Sequence, residues 1–222
     1  MQTITKRTGP GTQSMLATLR PLAPKRALSL METLRVAELQ ANRLLALAGI
    51  EETPVPADVI ADTERIRVEY DFDMPDHASG ASDWDSRSRH WVITINGHQP
   101  ETRQRFTLLH EYKHILDHGH AGLRETTKRL YYGLPAVEFV ADYFAGCVLM
   151  PRQLLKQAWG RGVQTVADLA LRFDVSERAM DVRLSQIGLS RPAQRCRSGT
   201  RVHPPSRTDA PDPRSLSRLD MA

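Results

Sequence analysis

His110, Glu111 and His114 stand in the order His-Glu-x-x-His inside the stretch Arg105-Phe106-Thr107-Leu108-Leu109-His110-Glu111-Tyr112-Lys113-His114-Ile115-Leu116. Phe106, Leu109 and Ile115 or Leu116 recur at helical spacing, and nothing between Thr107 and Leu116 breaks a helix, so the spacing predicts one. Residues four apart share a helix face, which lets the imidazoles of His110 and His114 grip one metal ion. Glu111, the next residue round, is close enough to reach a water on that ion. Two neutral nitrogen ligands leave Zn2+ strongly acidic, and a carboxylate beside them can take a proton from the water, so the chemistry is metal-assisted hydrolysis. The same five residues also arise by chance on surface helices. The apolar flanks argue otherwise, because they place the helix in a core, where unpaired imidazoles and a carboxylate would be expensive to bury.

A second stretch, from Pro135 to Pro151, is apolar nearly all the way round and predicts a buried helix, opened by one proline and stopped by the other. Its charges are Glu138 and Asp142, four apart and so on one face. A zinc ion completed by Glu138, with Asp142 accepting the free ring N–H of His110 or His114, would partner both. Pairing of the two carboxylates with arginines on a neighbouring helix is the alternative. His120 is a rival third ligand, six residues past His114 as in metzincin peptidases. Those peptidases turn at a glycine three residues after the second histidine, where this chain has Asp117. His118 and His120 therefore read as a polar helix end.

Taken together, the His110–His114 pattern, Glu138-x-x-Ala141-Asp142-x-Phe144-Ala145 and Leu149-Met150-Pro151 resemble the ImmA/IrrE family of zinc metallopeptidases. The lead-in Arg105-Phe106-Thr107-Leu108-Leu109 and the later Leu169-Ala170-x-x-Phe173-x-Val175-Ser176 are similar to it too, so the resemblance runs from about Leu34 to Leu189. It implies a zincin-like α+β fold, mostly helical, with a small sheet beside the His-Glu-x-x-His helix and a helix-turn-helix-like segment near the C-terminus. It implies His110, His114 and Glu138 as ligands of Zn2+ and Glu111 as general base. The substrate it implies is a protein, a helix-turn-helix repressor of a phage or mobile element, so that proteolysis would regulate transcription.

The rest of the chain must position this site. Its 222 residues suit one good-sized domain with trimmings: a flexible N-terminal segment over 1–28, a peptidase domain over 29–190 and a disordered basic tail over 191–222. The apolar fraction of 41% is enough for a core, and no apolar run approaches a membrane span, so no membrane partner is expected. Residues 1–28 show no apolar segment followed by a small-residue cleavage site, which points to the cytoplasm. Two cysteines, Cys147 in an apolar helix and Cys196 in the tail, fit that compartment and take no part in metal binding.

Ser29-Leu30-Met31-Glu32 predicts a capping box, followed by a helix with an apolar stripe of Leu34, Ala37, Ala41, Leu44 and Ala48, ended by Gly49. Ala57 to Ala61 suits a short helical turn. Ile66, Val68, Tyr70 and Phe72 alternate with charged residues as a half-buried strand, and Trp91 to Ile95 form another, stopped by Asn96-Gly97. Between them, Met74 to Arg89, rich in Ser, Asp and Gly around Trp84, reads as a loop or a strand with a wide hairpin. If residues 91–95 form the sheet edge beside the metal helix, an extended peptide could add to them; burial in mid-sheet is the alternative. His77, His90 and His98 read as exposed loop histidines. Tyr131 and Tyr132 are candidates to stabilise an oxyanion, although packing is the commoner role of such a pair.

The net charge of +4 raises nucleic acid as a partner, and residues 165–187 have the spacing of a helix-turn-helix. The rival function is thus a DNA-binding transcriptional regulator. Its second helix carries Arg178 and Arg183 beside Glu177 and Asp181, a poor electrostatic footprint, so direct nucleic-acid binding is not expected.

Overall fold

The computed structural model describes residues 14–56, 65–120, 130–131 and 134–189. Helix α1 (Met15–Leu19) comes first, and it corrects the expectation of a flexible segment through residue 28. Leu16 and Leu19 are buried in the main core, and the Arg20 guanidinium donates to the Ile115 carbonyl at 2.8 Å. A five-residue helix has little stability of its own, so packing against later elements is what holds it.

Helix α2 (Leu30–Ala48) starts with the capping box: Ser29 Oγ accepts the Glu32 N–H at 3.3 Å, and Glu32 Oε2 accepts the Ser29 N–H at 2.9 Å. Gly49 ends it at φ 67°, a left-handed backbone that glycine adopts without strain. Ala37, Ala41 and Leu44 are buried as the apolar stripe predicts, joined by Val36 and Leu45.

Strands β1 (Ile66–Asp71), β2 (Gly80–Asp85) and β3 (His90–Asn96) form one sheet in the order β1-β3-β2. β1 runs parallel to β3, and β2 runs antiparallel to it with Ser82 opposite Ile93. Residues 91–95 therefore lie in mid-sheet, not at an edge. The strand beside the site is β2, at the sheet edge among the described residues, from the stretch read as a loop or a strand with a wide hairpin.

Helix α3 (Glu101–Asp117) carries the His-Glu-x-x-His residues and packs against β2 and β3. The two-residue strands β4 (Leu130–Tyr131) and β5 (Leu134–Pro135) pair just before helix α4 (Ala136–Leu149), which packs against both α2 and α3. α3 is thus shared between the sheet and a helical layer, and Leu109, Tyr112, Ile115, Phe144 and Val148 fill the seam with no exposed surface. Lys113 is buried in that seam too. Its Nζ donates to Gln40 Oε1 at 2.8 Å and Asp117 Oδ1 at 2.5 Å, while Gln40 Nε2 donates to the Leu19 carbonyl at 3.2 Å. One amide side chain so ties α1, α2 and α3 together. Burial lowers the Lys113 pKa, against the pull of Asp117.

Helices α5 (Arg152–Gly160), α6 (Val166–Phe173) and α7 (Glu177–Ile187) complete the described fold. Thr165 and Ser176 cap α6 and α7 with their hydroxyls, and Asp174 makes the left-handed turn between them at φ 52°. Arg105, reaching from α3, donates to the Asp174 carboxylate and to the Val55 carbonyl, which fastens this turn to α3. Residues 57–61, Tyr132, Cys196 and the 191–222 tail lie outside the described residues, as does the Tyr131 side chain.

Candidate metal centre

α3 and α4 bring together residues 28 apart in the chain. His114 Nε2 lies 3.0 Å from His110 Nε2, which lies 3.2 Å from Glu138 Oε2, and His114 Nε2 lies 3.6 Å from Glu138 Oε1. Donors about 2.0–2.1 Å from a tetrahedral ion stand roughly 3.3–3.4 Å apart, so this spacing fits one ion among the three. The donor set gives a second reason. His110 Nδ1 is 2.8 Å from Asp142 Oδ1. In a neutral ring that donates there, Nε2 keeps a lone pair turned towards a carboxylate oxygen and a second imidazole, a concentration of acceptors that a cation relieves. Of the two histidines, it is thus His110 whose ring lies against Asp142.

The two carboxylates are less buried than an apolar helix suggests. The Glu138 and Asp142 side chains keep 40% and 47% of their exposure, so they face a cleft and not a dry core. Glu111 is buried, and its Oε2 accepts a hydrogen bond of 2.8 Å from the Ser82 hydroxyl on β2. Gly80 is what lets β2 come so close, since a Cβ there would lie 2.5 Å from Thr107 Cγ2 and 2.8 Å from the Thr94 carbonyl oxygen. Ser82 was missed at the sequence level. The signal was slight: a serine two residues after a glycine, in a stretch with no apolar face.

His120 turns away from the centre. The helix ends at Asp117, Gly119 is left-handed at φ 78°, and His120 Nε2 sits 3.1 Å from the Ala23 carbonyl. The chain therefore does turn, but towards the segment before α2, and His118 packs edge-on against Trp91. His77 and His98 are exposed as read, with His98 Nε2 2.8 Å from the Phe72 carbonyl, whereas His90 is half-buried in β3.

In the metal-free chain, burial pushes the His110 imidazole down. Hydrogen bonds to Asp142 and Glu138 and the charges of Asp142 and Glu111 outweigh it and carry it up to about 9 from an ordinary 6.5. Hydrogen bonds to His110 and His114 hold Glu138 well below the usual carboxylate range, against desolvation. The stability that His110 contributes is thus fully present below its ordinary value of 6.5 and is lost as pH rises through about 9. Metal binding has the opposite slope, because the ring must first lose its proton. Thermal melts of the chelator-treated chain are expected to fall between about pH 6.5 and 9, and the stabilisation by added metal to grow over the same interval. Parallel curves with and without metal would contradict this.

The helix-turn-helix-like pair loses most of its case as a DNA reader. Arg183 is 1% exposed. Its Nε donates to the Met150 carbonyl at 3.2 Å, and its guanidinium lies over the Tyr143 ring. On α7 this leaves Arg178 as an exposed cation beside the exposed Glu177 and Asp181, which offers phosphates little. Arg183→Ala is expected to lower stability by roughly 2–4 kcal/mol, through an orphaned carbonyl and a lost buried contact, and Arg178→Ala to stay within about 0.5 kcal/mol. Equal denaturation midpoints for the two variants would overturn this assignment.

Two packed helices thus bring a His-Glu-x-x-His pair and a distant glutamate together as a group that could hold a metal ion. The chain belongs to the family of the IrrE N-terminal-like domain, Peptidase M78, whose family model matches residues 64–185. The resemblance read from the sequence is borne out, and the family suggests a metallopeptidase acting on protein. Among solved structures, a Mycobacterium tuberculosis transcriptional regulator is similar, with a TM-score of 0.54 and 18% identity over 83% of this chain and 54% of that one. At such identity the likeness concerns the fold, and this chain spans about half the length of that regulator. No curated protein matches the chain in sequence.

Proposed function

We propose that this chain is a zinc-dependent endopeptidase of the cytoplasm. It would cut a helix-turn-helix repressor of a phage or mobile element and so change transcription by proteolysis. The observation that carries the reading is the convergence of His110, His114 and Glu138 at tetrahedral spacing, with Glu111 beside them. Two imidazoles and one carboxylate suit Zn2+, although Mn2+ and Fe2+ accept the same donors.

When bound, such a cation supplies Lewis acidity for the peptide carbonyl and makes a water acidic enough to lose its proton near neutral pH. Glu111 takes the proton of the attacking water and hands it to the departing amine. Ser82 fixes one oxygen of that carboxylate and leaves Oε1 to work. Asp142 holds the His110 ring so that Nε2 faces the centre. β2 pairs on one side with β3, and its other edge has no strand partner among the described residues. An extended peptide adding there would lie beside Glu111. Among the described residues no helix is long and apolar enough to cross a membrane.

Incubation of the metal-loaded chain with each helix-turn-helix repressor encoded beside its gene is expected to yield one pair of fragments from one repressor, and none with a chelator present. Intact repressors throughout, together with a specific gel shift by the chain itself, would favour the DNA-binding reading.

A further inference from the structure

A groove of about 420 Å³ lies beside the candidate metal centre between α3, α4 and α7. Arg103, Phe106 and Asp142 border both this groove and the space beside Glu111 and Glu138, so the two adjoin. Phe106, Phe139, Met150 and Val182 give it an apolar lining, and Val182 is 50% exposed, a side chain the fold itself does not cover. The charges around it are lopsided. Arg103 and Arg178 are both exposed, whereas the lining carboxylate, Asp142, is committed to His110.

This geometry also says what α7 is for. A helix that reads DNA must protrude into the major groove. Here the Ser176 cap and Arg178, Ala179 and Val182 of α7 line a concavity. Sites of roughly 300–1,000 Å³ take drug-sized ligands, so a groove of about 420 Å³ has room for one or two side chains of a peptide.

We propose that the groove is the specificity subsite of the peptidase. It receives the substrate segment next to the scissile bond, with an apolar side chain against Phe106 and Val182 and an adjacent Asp or Glu facing Arg103 or Arg178. The α6–α7 pair is then a wall of the substrate groove. The scissile bond in this statement rests on the peptidase reading; the binding preference does not.

The test is capture of a synthetic peptide library, randomised in sequence, by the immobilised full chain carrying Glu111→Gln and loaded with Zn2+. Val182→Asp and Arg178→Glu are added singly to that chain; both positions are exposed, and unchanged melting and metal content verify the fold. The parent is expected to enrich peptides with an apolar residue next to an acidic one. Val182→Asp should reduce their capture by about 10-fold. Arg178→Glu should shift the preference from acidic to basic neighbours. The same peptides captured by all three chains, or no enrichment by the parent, would overturn the proposal. Digestion of the library by the native chain is scored separately: capture without cleavage leaves the groove standing and removes the peptidase reading.

Discussion

Glu111→Gln is expected to retain the metal and to lower kcat/KM for the protein substrate by about 10²–10⁴-fold. The amide has nearly the shape of the carboxylate, and its oxygen can still accept the 2.8 Å hydrogen bond from Ser82, so the packing beneath β2 is preserved. What it loses is the ability to take a proton. Glu111 is not among the three converging donors, so metal content measured on the same sample separates the base from the ligands. Cleavage by Glu111→Gln at the native rate would remove Glu111 from the chemistry.

Glu138→Ala is expected to act on the other half of the site and weaken metal binding itself. Sharing about 12 kcal/mol of zinc affinity among four donors gives about 3 kcal/mol for one of them, a loss on the order of a hundredfold in Kd. Activity should vanish with the metal and return in part at high metal concentration, which Glu111→Gln would not do. Titration with a competing chelator reads the difference. Full affinity in Glu138→Ala, with loss in His120→Ala, would move the third donor to His120, against its position at the Ala23 carbonyl.

Much of this was legible in the sequence because it is local. The His-Glu-x-x-His helix, the Ser29 capping box and the apolar helix bounded by Pro135 and Pro151 each follow from spacing within a few turns. The elements that escaped or stayed open between two readings depend on distant partners. β2 reads Gly80-Ala81-Ser82-Asp83-Trp84-Asp85, with no apolar face, and is a strand because its backbone finds β3. The central place of β3 comes from parallel pairing with β1, where Ile66 meets Trp91, a register that no periodicity within one strand reveals. α1 exists because Leu16 and Leu19 find the core. The half-exposure of Glu138 and Asp142 was hidden because a helix that is apolar nearly all round does not show which of its faces borders a cleft.

The convergence of two imidazoles and a distant carboxylate on one ion is tested most directly by anomalous X-ray diffraction at the zinc edge, from crystals of the zinc-loaded chain. The account predicts a single peak, in contact with His110 Nε2, His114 Nε2 and the Glu138 carboxylate. A peak at His118 or His120, or none among the α3 and α4 side chains, would contradict it.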